Sequence, residues 1–301
     1  MTPTLSISLN PLVNRIADIE ELVAVCAGEI GVRRVQMTNE FINPSWPAAA
    51  VARLAATFNK AASAHGLEAT SAMTGLYARI SNLGHPDGDV RDWTVAWMIR
   101  FAEIAADIGA PALGSQFAIL PHAENDDPDR RDRAILAALD CWERIWAGAE
   151  KAGLTYVYWE QMSIGREFGH TIADAEDIQS RIAKRGIPMK ILLDVDHGDV
   201  SSENPRDTDP YAWIAALGAD CPIMHLKQST ANKGGFWPFI EPYNSEGRID
   251  PARLIGAMSE VRDAPTELCL ELGFREREPS DRLAVDHLKR SVEYWRPHVA
   301  S

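Results

Sequence analysis

Short apolar runs alternate with longer stretches of helical periodicity along the whole chain. The strand-like runs are 5–9, 32–38, 67–73, 110–119, 155–161, 189–197, 221–228 and 266–274. Segments with the 3.6-residue spacing of amphipathic helices follow them, at 15–31, 46–66, 90–109, 131–153, 175–186, 209–219, 250–262 and 280–298. Two of these segments close on Gly31 and Gly66, as is typical of helix C-termini.

Strict alternation of strands and helices predicts the α/β class with a parallel sheet. Eight such units in 301 residues are most economically closed into one (β/α)8 barrel, and we expect residues 1–301 to form this single domain. A doubly wound open sheet is the alternative. However, the first strand is not followed by the G-x-G-x-x-G motif that a dinucleotide-binding fold of this kind requires.

Four consecutive strands of the predicted barrel carry ligand-type side chains near their C-terminal ends. These are Glu160, Asp194, His225 and Glu271, on strands five to eight. A barrel gathers its chemistry at those strand ends. Three carboxylates with one histidine suit Mn²⁺, Mg²⁺ or Co²⁺ better than a structural zinc site, which prefers thiolate and imidazole ligands, although Zn²⁺ is a further candidate. The sequence therefore predicts a divalent metal site at this rim.

Several basic residues follow the last two strands. Lys227 lies two positions after His225 and projects to the same face of its strand, where it could bind a phosphate or carboxylate group or neutralise the acidic rim. Lys233 precedes a Gly-Gly pair in the next loop, and Arg275 and Arg277 follow strand eight. Together these charges favour a phosphorylated or acidic ligand over a neutral one.

Composition excludes several other classes of function. The formal charge of -13, from 30 basic and 43 acidic residues, opposes binding to nucleic acid. No apolar run is long enough for a membrane span, and the N-terminal segment does not resemble a signal peptide. The four cysteines are scattered, as expected of free thiols in a reducing compartment. We therefore expect a cytoplasmic enzyme that binds neither membrane nor nucleic acid.

The whole chain resembles the sugar isomerase/epimerase superfamily with the xylose isomerase-like TIM barrel, near the D-tagatose and D-psicose 3-epimerases. The four strand-end ligands match that family, and its D-x-x-H element is present as Asp194-Val-Asp-His197. On strand seven the family's H-x-H-x-G-E stretch is replaced by MHLKQ. The stretch WEQMSIGREFGHT, 159–171, resembles more narrowly the erythrulose-phosphate (tetrulose-phosphate) isomerases and epimerases.

This resemblance implies a ketose or ketose-phosphate epimerase or isomerase that acts through a metal-stabilised enediolate. Glu160 and Glu271 would form the acid/base pair as well as binding the metal, and His197 would face the substrate. Arg166 and Glu167 stand where the family has an R-F-E element. Because this chain has R-E-F instead, their roles as substrate-binding residues are open, as is the role of His170.

Other activities of the superfamily stay open at this point. A metal-dependent dehydratase of a keto-polyol, such as inosose or 3-dehydroshikimate, would use the same barrel and ligands, as would an aldose–ketose or hydroxypyruvate isomerase. An endonuclease IV-like activity would need additional histidines and a basic face, which the sequence lacks. The resemblance also implies a homo-oligomer, either a dimer or a tetramer, that acts on a small-molecule sugar or sugar phosphate.

Overall fold

Ten strands lie in the described part of the computed structural model, which comprises residues 2–75, 82–230, 233–274 and 279–300. In chain order they are β1 (Thr4–Ser8), β2 (Arg34–Thr38), β3 (Glu68–Met73), β4 (Ala112–Gln116), β5 (Tyr156–Glu160), β6 (Met189–Asp194), β7 (Ile223–Leu226), β8 (Gln228–Thr230), β9 (Lys233–Trp237) and β10 (Glu267–Leu270). Strands β8 and β9 form a separate antiparallel hairpin, and the other eight strands form the barrel.

The barrel strands are all parallel and follow the order β1-β2-β3-β4-β5-β6-β7-β10. Pairing of β1 with β10, from Thr4 opposite Glu267 to Ile7 opposite Leu270, closes the ring. Both faces of such strands are covered, which explains why they are near-continuous apolar runs instead of alternating ones. The predicted closed (β/α)8 barrel is therefore confirmed.

Helices surround the barrel. Those of the described residues are α1 (Ile19–Ala24), α2 (Ala48–His65), α3 (Gly88–Asp107), α4 (His122–Asn125), α5 (Pro128–Ala152), α6 (Ile172–Arg185), α7 (Pro210–Leu217), α8 (Tyr243–Glu246), α9 (Pro251–Val261) and α10 (Ala284–Trp295). Side-chain caps define where several begin: Asp18 accepts from the backbone N–H of Glu21, and Thr171 accepts from that of Asp174. Because Asp18 caps α1, this helix begins later than the predicted segment 15–31, and it continues as a π-helix from Val25 to Ile30.

The β8–β9 hairpin corrects the sequence interpretation, which predicted only a long loop after strand seven. Its strands have three and five residues, and Gln228 pairs with Trp237. Polar and glycine residues dominate both strands, so the apolar alternation that reveals a longer strand is missing. The predicted range 221–228 therefore contains the whole barrel strand β7 and the first residue of this hairpin.

The four cysteines are free and buried, as predicted. They are Cys26, Cys141, Cys221 and Cys269. None of the helices within the described ranges combines the length and the apolar composition needed to cross a membrane.

Candidate metal centre

The four predicted ligand side chains meet at the C-terminal rim of the barrel. Glu160 and Asp194 are the last residues of β5 and β6, His225 is the third residue of β7, and Glu271 directly follows β10. Each side chain is buried and offers one donor atom, and these atoms all lie within 4.8 Å of one another. Residues separated by more than a hundred positions in the sequence therefore form one compact cluster.

The strand register directs these side chains to the same face of the sheet. Asp194 on β6 pairs with His225 on β7, and His225 pairs in turn with Cys269 on β10, two residues before Glu271. Side chains two residues apart on a strand point to the same face. The register of β6, β7 and β10 is therefore sufficient to direct three of the ligands into the barrel mouth.

A chain of hydrogen bonds fixes the orientation of the His225 ring. The hydroxyl of Tyr158 donates to the carbonyl oxygen of Ala72 at 2.8 Å, so it accepts from the Nε2 amide of Gln36 at 3.2 Å. This leaves the Oε1 atom of Gln36 facing the Nε2 atom of His225, at 2.9 Å. Because a carbonyl oxygen only accepts, His225 carries a proton on Nε2, and its Nδ1 atom faces the carboxylates.

Both Glu160 and Glu271 approach the Nδ1 atom of His225. The distances are 2.9 Å to Oε1 of Glu160 and 3.3 Å to Oε2 of Glu271. Burial alone would lower the pKa of His225, but the charges of Glu271 and Glu160 outweigh it and raise this pKa well above its usual value. The two carboxylates thus create a strongly negative potential at the imidazole nitrogen.

The pKa of Glu271 shifts in the opposite direction from that of His225. Burial would raise its pKa, but the positive charges of His225 and Lys227 dominate and hold the pKa of Glu271 well below the usual range. Asn10, in the loop after β1, adds a hydrogen bond from Nδ2 to Oε1 of Glu271 at 3.0 Å. Glu271 is therefore an ionised carboxylate at neutral pH.

Lys227 extends into the cluster instead of towards solvent. Its Nζ atom lies 2.5 Å from Oδ2 of Asp194 and 2.8 Å from Oε2 of Glu271, and the side chain is fully buried. The ring of Phe236 covers the ammonium at 3.6 Å from the ring centroid. Burial would lower the pKa of Lys227, but the charges of Asp194 and Glu271 outweigh it and raise this pKa. Of the two roles that the sequence left open for Lys227, this geometry matches neutralisation of the acidic rim.

The cluster has the properties of a divalent cation site. Glu160, Asp194 and Glu271 contribute carboxylate oxygens and His225 contributes an imidazole nitrogen, a donor set suited to Mn²⁺, Mg²⁺ or Co²⁺. Two of the carboxylates already contact a positive charge, because the ammonium of Lys227 lies between them. These four residues therefore fit the predicted metal.

Gln161 forms two hydrogen bonds with the backbone of Asp194. The sequence did not indicate this role. The Oε1 atom of Gln161 accepts from the backbone N–H of Asp194 at 2.7 Å, and its Nε2 atom donates to the backbone carbonyl of Asp194 at 2.8 Å. The backbone carbonyl of Gln161 itself contacts Nδ1 of His197 at 2.8 Å. Since a carbonyl only accepts, His197 carries its proton on Nδ1, and in the neutral ring Nε2 is a hydrogen-bond acceptor.

A cavity of about 30 Å³ adjoins the cluster. The residues that line it are Asn10, Met73, Thr74, Gln116, Glu160, Met162, His197, Phe236 and Glu271. Glu160 and Glu271 border this space from β5 and from the end of β10, strands that are separated in the barrel by β6 and β7. The cavity is large enough for ordered water, and it exposes two carboxylates to one small volume.

The other predicted substrate-binding residues lie in the loops around this rim. Arg166 and Glu167 occupy a short turn after β5, with Nη2 of Arg166 at 3.6 Å from Oε1 of the buried Glu167. In the same loop, Nδ1 of His170 lies 3.2 Å from Oδ2 of Asp174, and this contact connects the loop to α6. Lys233 begins β9, but its side chain lies outside the described part of the structure, as do Arg275 and Arg277.

Comparison with known proteins agrees with this fold. The family model for the xylose isomerase-like TIM barrel matches residues 26–294. The chain belongs to the xylose isomerase-like TIM barrel family.

One relative within this group is similar over almost its whole length. The D-erythrulose 1-phosphate 3-epimerase of Brucella abortus (strain 2308) is 46% identical over 301 residues, which cover 99% of this chain and 97% of the relative. The predicted resemblance is thereby confirmed, and the chain is an enzyme of the isomerase class.

Solved structures share the fold at lower identity. A Rhodospirillum rubrum ATCC 11170 protein provisionally described as a xylose isomerase has a TM-score of 0.86 at 22% identity, with 99% of this chain and 100% of that chain covered. The D-psicose 3-epimerase of Clostridium cellulolyticum H10, solved with D-tagatose, has a TM-score of 0.75 at 13% identity, with both chains covered completely. At these identities the likeness concerns the xylose isomerase-like barrel itself.

Proposed function

We propose that this protein is a divalent-metal-dependent 3-epimerase of a short ketose phosphate, with D-erythrulose 1-phosphate as the substrate to test first. The 46% identical relative supports this choice of substrate. The buried cluster of three carboxylates and one histidine supports metal dependence.

The observation that carries the proposal is the placement of Glu160 and Glu271. Both border the same cavity, and they come from strands separated by two others. Inversion at one carbon needs a base on one side of the carbon and an acid on the other. Two carboxyl groups that face one small volume from different sides of the barrel mouth supply both.

In the proposed reaction, one glutamate removes the proton from C3, which lies between the C2 carbonyl and the C4 carbon. The electron pair of the C3–H bond moves to form the C2–C3 double bond, and negative charge develops on the carbonyl oxygen. The other glutamate then delivers a proton taken up from solvent to the opposite face of C3, and the first glutamate releases the proton it removed to solvent. Glu160 and Glu271 exchange these roles when the reaction runs in the opposite direction.

Glu160, Asp194, His225 and Glu271 would hold the metal ion. When bound, a divalent cation supplies Lewis-acid stabilisation of the negative charge that develops on the substrate oxygens.

His197 is proposed to accept a hydrogen bond from a substrate hydroxyl. Its Nδ1 proton is committed to the carbonyl of Gln161, and its ring lines the cavity, which supports an acceptor role for Nε2. Arg166, Glu167 and Lys233 are proposed to contact the polar end of the substrate, and Lys227 is proposed to act beside them by balancing the charge of the carboxylates. Cytoplasmic location and a homo-oligomeric state stay predictions.

Product analysis tests the proposal. Incubation of D-erythrulose 1-phosphate with the Mn²⁺-supplemented enzyme should yield its C3 epimer with unchanged mass. A dehydratase would give a product lighter by one water. An aldose–ketose isomerase would leave this substrate unconverted, because C1 carries the phosphate ester and cannot become an aldehyde. The named relative and the named 3-epimerase structure lend the dehydratase alternative no support.

A further inference from the structure

Lys227 contacts two of the four candidate metal ligands directly. Its Nζ atom is 2.5 Å from Asp194 and 2.8 Å from Glu271, distances of charge-assisted hydrogen bonds. Any cation held by all four residues of the cluster must share the carboxylates of Asp194 and Glu271 with the ammonium. Lys227 and the metal ion are therefore two positive charges directed to the same pair of ligands.

We infer that Lys227 competes with the divalent cation for Asp194 and Glu271 and thereby sets the metal affinity of the site. The inference rests on the metal-binding part of the proposed function. It does not depend on which sugar is epimerised.

Contacts around Lys227 keep its ammonium beside these two carboxylates. The side chain is fully buried, and the ring of Phe236 covers the ammonium, whose Nζ atom lies 3.6 Å from the ring centroid. The backbone of Phe236 is itself held in place, because its carbonyl accepts from the N–H of Gly273 at 3.0 Å. The ammonium therefore stays within a few ångströms of the ligands, where repulsion between like charges in a buried site is strong.

The same arrangement has a compensating effect on the loaded site. Three carboxylates, one ammonium and one divalent cation carry no net formal charge. A phosphorylated substrate would then approach a neutral cluster, whereas without Lys227 it would approach a negative one. Because the ammonium that neutralises the loaded site also repels the metal ion, we expect it to weaken metal binding.

The opposite physical effect gives the inference a clear rival. By pairing with Asp194 and Glu271, Lys227 could instead hold both carboxylates in the positions that a metal ion requires. Removal of the ammonium would then weaken metal binding. The two possibilities predict changes of opposite sign in the same measured constant.

The experiment is calorimetric titration of Mn²⁺ into the full-length protein after treatment with EDTA. Lys227→Met and Lys227→Gln remove the charge, and Lys227→Arg keeps it. Lys190→Met is the matched control, because Lys190 also forms a lysine–carboxylate pair, with Asp220 at 3.0 Å, but at the exposed surface. Removing the buried charge should tighten Mn²⁺ binding by about tenfold or more, a small part of the repulsion between buried charges a few ångströms apart.

Tighter binding by both neutral variants, with Lys227→Arg and Lys190→Met close to the wild type, supports the inference. Unchanged or weaker binding by the neutral variants overturns it. If the neutral variants fold only when Mn²⁺ is present, the metal ion has replaced the ammonium, which also supports the inference. If Mn²⁺ fails to restore their folding, the inference is wrong. Absence of epimerase activity in the wild type would contradict the proposed function without changing these binding results.

Discussion

The Oε1 atom of Glu160 lies 2.9 Å from the Nδ1 atom of His225, although the two residues belong to β5 and β7 and are 65 positions apart. This contact joins Glu160, a candidate acid/base residue, to His225, a candidate metal ligand. It places a proton-accepting carboxylate directly beside the atoms that would hold the cation. Proton transfer and charge stabilisation can therefore act on the same few atoms of a substrate.

Replacement of either glutamate should strongly reduce turnover. In Glu160→Gln and in Glu271→Gln an amide cannot accept the C3 proton, and we expect kcat to fall by about 10²-fold or more, the usual contribution of a positioned acid or base. Chiral analysis of erythrulose 1-phosphate over time measures this rate. Glu68→Gln is the control, because Glu68 is exposed at the N-terminal end of β3, far from the cluster. Wild-type rates in either cavity variant would contradict the two-carboxylate mechanism.

Removal of the metal should abolish activity reversibly. We expect EDTA treatment to eliminate epimerisation, and Mn²⁺, Mg²⁺ or Co²⁺ to restore it, because the cluster consists of oxygen ligands and one imidazole. Activity assays before and after metal addition measure the effect, and the melting temperature should also rise with metal. An enzyme that is fully active after exhaustive chelation would show that the cluster serves another purpose.

Gln36 should be required for tight metal binding. In Gln36→Leu, the Nε2 proton of His225 loses its acceptor, so the ring is no longer held with Nδ1 towards the carboxylates. Loss of such a supporting hydrogen bond typically weakens metal affinity about 10–100-fold. Titration with Mn²⁺ measures the change. Gln179→Leu is the control, because Gln179, on α6, accepts from Trp159 instead of from His225. Equal Mn²⁺ affinity in Gln36→Leu and the wild type would show that the Gln36 contact does not orient His225.

Glu267 begins β10, at the end of the barrel opposite the carboxylate–histidine cluster, and it should make the stability of the protein depend on pH. Burial raises the pKa of Glu267 above the usual 4.5, and the hydrogen bonds from Ser6 and Thr70 only partly oppose this. Its protonated form is thus favoured in the folded protein. The stabilisation is complete below the pKa of the unfolded chain and is lost as pH rises through the raised pKa of the folded protein.

Glu267→Gln cannot ionise and should keep this stabilisation at every pH. Urea unfolding should therefore show the variant to be more stable than the wild type at pH 8, with the difference shrinking towards pH 4.5. Glu68→Gln again serves as the control, since Glu68 is exposed and pairs with Arg34 at the surface. A difference between Glu267→Gln and the wild type that does not vary with pH would exclude the titration of Glu267 as the cause.

The barrel and the clustering of Glu160, Asp194, His225 and Glu271 could be predicted from the sequence, because both follow from repeated patterns. Apolar runs of strand length recur eight times, and ligand-type residues stand at four successive strand ends. The ends of β3 and β4 show no such pattern, although their last residues, Met73 and Gln116, line the cavity.

The supporting residues could not be predicted in the same way. Gln36 and Tyr158 lie inside strands, where nothing in the local pattern separates a residue that orients a histidine from one that packs in the barrel. Their contact depends on side chains 122 positions apart. The β8–β9 hairpin was missed because its strands are short and rich in glycine and polar residues. The buried position of Lys227 depends on Asp194 and Glu271 in neighbouring strands, which a reading of β7 alone does not reveal.

Isotope incorporation tests the central claim most directly. The Mn²⁺-supplemented enzyme should be incubated with D-erythrulose 1-phosphate in D₂O, and the recovered sugar phosphate analysed by NMR and mass spectrometry. The account predicts one deuterium, located at C3 of the epimerised product, because the glutamate that reprotonates this carbon exchanges its proton with solvent. Deuterium at C1, or an epimerised product that contains no solvent deuterium, would contradict it.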